Sequence, residues 1–174
     1  MNADQIFVLP NNGNVVLAAK QAAKIYEESE IIVIESKSIG EGYSALSMLD
    51  YSADDAAVIA EQMRESMQGT VTGMVARSVR DASLNGVEVK KDAYMGFTDH
   101  TMLVSLPTKT ETVCALMDKL NMKEKEFLIV VYGKDASEDE RAALGEYMAK
   151  EYPHVEVYDI DGGQDVYDFL LIVE

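Results

Sequence analysis

The chain has one cysteine, three prolines, no tryptophan and only 15 basic residues against 31 acidic ones. A lone Cys114 excludes an internal disulfide and any zinc site built on several thiolates. It also fits a reducing compartment, so a cytoplasmic location is expected. No stretch approaches the roughly 18 apolar residues that cross a bilayer. Met1-Asn2-Ala3-Asp4-Gln5 lacks the basic region that opens a signal peptide. The formal charge of -16 repels phosphate backbones and anionic headgroups, which argues against nucleic-acid and membrane-surface partners. That surface suits a basic protein partner, or simply keeps the protein soluble. Neither the P-loop pattern Gly-x(4)-Gly-Lys-Ser/Thr nor Gly-x-Gly-x-x-Gly occurs.

At 174 residues and 48% hydrophobic, the chain can bury a core as one domain, 1–174, or as two small halves, 1–68 and 108–174, around a middle β meander. Residues 6–9 form an apolar strand. Val15, Ala18, Ala19, Ala22, Ile25 and Tyr26 then follow helical spacing, so 14–28 reads as an amphipathic helix with that stripe inward. Residues 31–34 are a β-branched run expected to be buried on both faces. A short helix over 43–50 and a longer one capped within Ser52-Ala53-Asp54-Asp55 follow, the latter with Ile59, Met63 and Met67 on one face. The middle, near 70–106, reads as an antiparallel meander with a hairpin turn at Asn85-Gly86. Thr108 and Ser137 open capping boxes for helices that flank a strand at 127–132. Strands at 155–160 and 169–173 close the chain. The expected fold is α/β, with a largely parallel sheet flanked by helices and the meander attached. The first and last thirds share a strand–helix–strand grammar, which suggests an internal duplication.

Two strands end in stiff polar loops, Pro10-Asn11-Asn12-Gly13-Asn14 and Asp161-Gly162-Gly163-Gln164-Asp165. Loops at the carboxyl ends of parallel strands are where α/β sheets meet ligands and partners, so one shared rim is expected. The first loop is either a turn with Asn14 capping the helix, or a set of carboxamides and amide N–H groups that hold a polar ligand. Ser36-Lys37-Ser38-Ile39-Gly40-Glu41-Gly42 is either a helix-capping loop with a solvated lysine or a carboxylate or phosphate cradle. Arg80 beside Asp81 reads as an ion pair, while Arg77 shares a face with Arg80 only on a helix. The aspartates 159, 161, 165 and 168 lack the bidentate glutamate of an EF-hand loop and read as solvated carboxylates. His100 and His154 read as solvated. Cys114 reads as a small buried residue rather than a nucleophile.

Taken in order, Leu9-Pro10-Asn11-Asn12, Ala19-Lys20-Gln21-Ala22, Ser36-Lys37-Ser38-Ile39, Arg80-Asp81, Tyr132-Gly133 and Gly162-Gly163-Gln164-Asp165-Val166-Tyr167 resemble the C-terminal domain of the bacterial fatty acid kinase ATP-binding subunit. That family is also labelled dihydroxyacetone-kinase-like. The resemblance spans residues 5–174. Where the family pattern usually reads Pro-Thr-Lys-x-Ile-Pro-Gln-Gly and Gly-Gly-Gln-Pro-x-Tyr, this chain drops both prolines and gains Glu41 and Asp165, making the loops more flexible and more acidic. The resemblance implies a DegV-like fold and a non-catalytic module. That module would dock the fatty-acid-binding partner or organise the kinase assembly. Asn11, Asn12, Gln21, Ser36, Lys37, Ser38, Arg80, Gly162, Gly163, Gln164 and Tyr167 are the residues it marks for contact. The alternative it leaves is a domain that itself binds a fatty acid or another carboxylate or phosphate, with Ser36 and Ser38 holding the charged end. ATP and magnesium would belong to an N-terminal kinase domain, outside this chain.

Overall fold

Runs of apolar and β-branched residues become strands, and the helices between them begin at polar caps. The computed structural model describes residues 3–47, 49–50, 52–99 and 101–174. They fall into two compact units, one ending at Thr70 and one spanning Val71–Glu174. His100 lies outside the described residues.

The first unit opens with β1 (Gln5–Val8), α1 (Gly13–Ile25) and β2 (Glu30–Val33). The strands pair in parallel, Ile6 opposite Ile31 and Val8 opposite Val33, as a helical crossover requires. Two helices follow, α2 (Ile39–Ser47) and α3 (Ala56–Ser66). Asp55 caps α3 by accepting the Ala57 N–H at 2.8 Å. The core of this unit joins Ile34, Ala45, Ala60 and Met63, with Phe7, Leu9, Ile32, Ile59 and Met67 against it. The Ile59–Met63–Met67 face therefore points inward as its spacing predicts.

Two expectations fail here. Residues 31–33 are only half-buried and Ile34 alone is fully enclosed, because a sheet of two strands cannot be covered like the centre of a wide one. In α1 the inward residues are Val16, with Ala19 and Ala23 half-buried, while Val15, Ala18, Ala22 and Ile25 face out. The buried stripe keeps Ala19 from the expected one and is otherwise turned by one residue, about 100° of helix.

The second unit is built on a six-stranded sheet in the order β7-β6-β3-β10-β8-β9. Its strands are β3 (Val71–Arg77), β6 (Tyr94–Thr98), β7 (Met102–Leu106), β8 (Phe127–Tyr132), β9 (Glu156–Asp161) and β10 (Phe169–Val173). A separate hairpin joins β4 (Ala82–Leu84) and β5 (Val87–Val89). Its turn places Asn85 at φ 53° and Gly86 at φ 80°, the left-handed pair a tight hairpin needs. Two helices, α4 (Lys109–Met117) and α5 (Glu138–Glu151), complete the unit. Thr108 and Ser137 cap them, the latter in a full capping box.

Only β8 and β9 pair in parallel within this sheet; the other four pairings are antiparallel. The expectation of a largely parallel sheet is therefore corrected. The antiparallel strands β3, β6 and β7 form half of the main sheet rather than an appendage. β10 returns from β9 without a helix and inserts between β3 and β8, so it must oppose both. Its residues alternate between two cores. Phe169, Leu171 and Val173 join Val113, Leu116, Met117, Leu144 and Met148, whereas Leu170 and Ile172 join Met74 and Ile129.

Candidate functional site

The Asn-Asn turn and the Ser-Lys-Ser loop are brought together at the carboxyl ends of β1 and β2. Asn11 adopts φ 54°, a left-handed backbone that asparagine tolerates. Its N–H donates to Ser36 Oγ at 3.0 Å, and that hydroxyl donates back to Asn11 Oδ1 at 2.8 Å. Ser36 is fully buried, so the reciprocal pair satisfies a group that would otherwise be costly. The Asn11 carboxamide lies directly over Gly42, where any Cβ would overlap it. Position 42 thus requires glycine for close approach.

Asn12, not Asn14, caps α1, its side chain accepting the Asn14 N–H at 2.9 Å. The turn simply places the acceptor two residues earlier than the apolar periodicity suggests. Ser38 is buried and accepts the Glu41 N–H at 3.1 Å. The Glu41 carboxylate turns back onto the Lys37 N–H, so α2 starts at Ile39 rather than near Tyr43. Lys37 is exposed, its stem beside Gly13. Neighbouring Glu35 pairs with Lys20 at 2.6 Å, and that contact holds its carboxyl below the usual range.

The Gly-Gly-Gln bend belongs to the other unit. The N–H groups of Gly162 and Gly163 both donate to Tyr132 O at 3.0 Å, with Gly163 at φ 65°. Gln164 Nε2 donates to Val131 O at 3.1 Å, and Lys134 N–H donates to Gln164 O at 3.2 Å. Tyr167 stacks obliquely on Phe97, centroids 6.3 Å apart. The Asn-Asn and Ser-Lys-Ser loops thus belong to the β1–β2 sheet and the Gly-Gly-Gln bend to the six-stranded sheet.

Arg80 lies past the end of β3, and Asp81 accepts the Lys91 N–H instead of pairing with it; Arg77 on β3 pairs with Asp92 at 3.0 Å. Strand geometry parts Arg77 from Arg80, and the Lys91 amide takes the Asp81 carboxylate. Gln21 is exposed on α1.

The aspartate series resolves into separate pairs. Asp159 accepts the Tyr132 hydroxyl at 2.9 Å, Asp161 pairs with Arg141, Asp165 with Lys134, and Asp168 with Lys109 at 3.3 Å. Among the described residues no cluster of three His, Cys, Asp or Glu side chains is arranged to hold a metal ion. His154 meets the Met122 carbonyl at 3.2 Å.

Two arrangements carry no sequence signal, because their members lie far apart in the chain. Lys109, mostly buried, reaches Glu140 at 3.2 Å and Asp168. Burial alone would lower its pKa, but the two carboxylates outweigh it and raise it. Burial raises the Asp168 carboxyl against the pull of Lys109. Arg141 sits 4.4 Å above the Tyr132 ring, a cation–π contact. Burial, then the bond to Asp159, pushes that phenol up. Cys114 is half-buried, and burial followed by the charge of Asp118 pushes its thiol up to about 11.

A family model for the C-terminal region of FakA-like fatty acid kinase subunits matches residues 1–174. A Staphylococcus saprophyticus protein is 37% identical over 167 residues, covering 96% of this chain and 30% of that protein. Protein YloV of Bacillus subtilis is 32% identical over 175 residues, covering 100% of this chain and 31% of its own length. The chain thus spans about a third of these relatives. Among solved structures, the Streptococcus pneumoniae fatty acid kinase B3 protein loaded with linoleic acid superposes with TM-score 0.69 at 14% identity, covering 99% of this chain and 72% of that one. DegV, a fatty acid binding protein from Bacillus subtilis, gives TM-score 0.58 at 14% identity, covering 98% and 71%. No described helix is long and apolar enough to cross a membrane. The chain belongs to the FakA-like C-terminal family of fatty acid kinase proteins, on an α/β fold of the DegV kind.

Proposed function

We propose that this chain is a non-catalytic module of a fatty-acid-kinase-like protein, and that it docks the DegV-like protein carrying the fatty acid. The observation that carries this reading is the outward face of α1. Val15 is 44% exposed, Ile25 79% and, on the adjoining side, Leu17 67%. Ala18 and Ala22 fill the gap between Val15 and Ile25 with a flat surface. A helix that turns an apolar stripe outward marks an interaction site. Asn12 and Lys37 at its start, with Gln21 along its flank, supply a polar border that fixes orientation.

Bond-making by the chain itself finds little support: a thiol near pKa 11 is a poor nucleophile at neutral pH. ATP and magnesium would bind an N-terminal kinase portion, and the assembly would work in the cytoplasm. The second reading, an acyl or other carboxylate ligand held by Ser36 and Ser38, draws on a fold shared with proteins that bind fatty acids. Against it, the Ser36 hydroxyl already exchanges two hydrogen bonds with Asn11.

The test is calorimetric titration of the chain with its cognate acyl-loaded DegV-like protein. Binding at tens of micromolar or tighter is expected, weakened about tenfold or more by Ile25→Asp. Absence of binding in that range overturns the docking role.

A further inference from the structure

β9 is the outer strand of the six-stranded sheet, and its free edge is guarded by acidic charge alone. Glu156 N–H donates to Glu126 O at 2.8 Å and Gly162 N–H to Tyr132 O at 3.0 Å. By the two-residue period of a strand, the N–H and C=O groups of Val157, Asp159 and Asp161 point away from β8. No strand pairs with them among the described residues. Edges are normally blunted by charged side chains, above all lysine, by proline, a bulge or a cover; acidic charge alone deters another acidic edge but not a basic one. β9 reads Glu-Val-Tyr-Asp-Ile-Asp in unbroken register with β8. At the opposite edge of the sheet, by contrast, the Met102 N–H on β7 is taken by Asn85 Oδ1 at 3.0 Å.

Beside this edge, Val157 and Asp159 with Leu144, Gly145, Met148 and Ala149 of α5 border a groove of about 390 Å³. Gly145 lies inside α5, where glycine is disfavoured against alanine. A Cβ added there would meet nothing within 4 Å, so the packing of this chain gives no reason for the glycine. An incoming side chain would.

We propose that the β9 edge and its groove receive an extended, basic segment of another protein by strand addition. Main-chain hydrogen bonds to Val157, Asp159 and Asp161 would supply the pairing, and an apolar side chain would fill the space over Gly145. The apolar side chains over the groove share the face of Val157 and Asp159, so alternate lysines or arginines lie on the opposite face, beside Glu156. Asp161 already holds Arg141, and one oxygen of Asp159 accepts the Tyr132 hydroxyl. A second copy is the wrong occupant. Two β9 edges would set acid against acid, which is destabilising, on chains of charge -16. Nothing in this surface depends on an acyl ligand or on α1.

The test uses the whole chain and a capped synthetic peptide of about seven residues alternating arginine and leucine, long enough to span β9. Expected results are hydrogen-exchange protection of Val157, Asp159 and Asp161 by about tenfold and weaker binding in high salt. The same peptide N-methylated along one edge should not bind. Gly145→Leu, which fills the groove, should weaken binding about fivefold or more without lowering the melting temperature. If that variant does melt lower, Gly145→Ala, whose one methyl group fits the open space, replaces it in the comparison. No binding overturns the proposal. So does binding that survives both N-methylation and groove filling, which would be charge attraction alone. Concentration-dependent dimerisation through β9 in the ultracentrifuge would overturn it as well.

Discussion

The two units of this chain solve the problem of a sheet in opposite ways. The unit that ends at Thr70 has two short parallel strands whose residues are largely half-buried, and Ile34 beyond them carries most of the enclosure. The unit Val71–Glu174 threads β10 through the middle of six strands, and all five of its residues are buried. The first is held as much by polar closure, Asn11 with Ser36 and Ser38 with Glu41, as by apolar contact. The second is held by a continuous core. Local opening should therefore be easier in the first, which suits the unit proposed to dock a partner.

The contrast can be broken most forcefully at Leu171, fully buried on β10. Leu171→Ala should cost about 3 kcal/mol in denaturant unfolding of the second unit. A loss below about 1 kcal/mol would mean that its core is far looser than described.

Cys114 offers a chemical probe of the same unit. With its thiol raised from 9.0 to about 11, alkylation at pH 8 should run about a hundredfold slower than in the urea-unfolded chain, since each pKa unit is a factor of ten in thiolate. Equal rates would show that α4 opens freely.

Ser36→Ala acts on the first unit alone. It leaves the Asn11 N–H and Oδ1 without their partner, so a loss of about 1–2 kcal/mol is expected. Hydrogen exchange should quicken at 8–14 and 36–42, with the second unit unchanged.

Lys109 sharpens the comparison by pH. Its folded pKa is raised above 10.5, so its pairing is complete below that value and is lost as pH climbs through the folded one. Asp168, raised above 3.8 by burial, contributes fully below 3.8 and loses that contribution as pH rises through its elevated folded value. Lys109→Met should be less stable than the parent at pH 8, and the gap should narrow at pH 11 in urea melts.

Much of the second unit is legible in the sequence because its signals are local. The cap at Thr108, the capping box at Ser137, the run Phe127–Tyr132 and the Asn85-Gly86 turn each need only neighbouring residues. Strand direction is not legible, since placing β10 between β3 and β8 depends on contacts across much of the chain. α1 departs from its expected stripe for a specific reason. Val15-Val16, Ala18-Ala19 and Ala22-Ala23 make two adjacent apolar stripes of equal period, and only the β1–β2 sheet selects the second. The site is legible as loops but not as partners: nothing near Asn11 in the sequence points to Ser36, and nothing near Tyr132 points to Arg141 or Asp159.

The docking role rests most directly on where a bound partner shields the backbone. Hydrogen-exchange mass spectrometry of the chain, with and without its acyl-loaded DegV-like protein, should show slowed exchange across α1 and at 11–14 and 36–42. Unchanged exchange over α1 under saturating partner, or protection confined to the second unit, would contradict it.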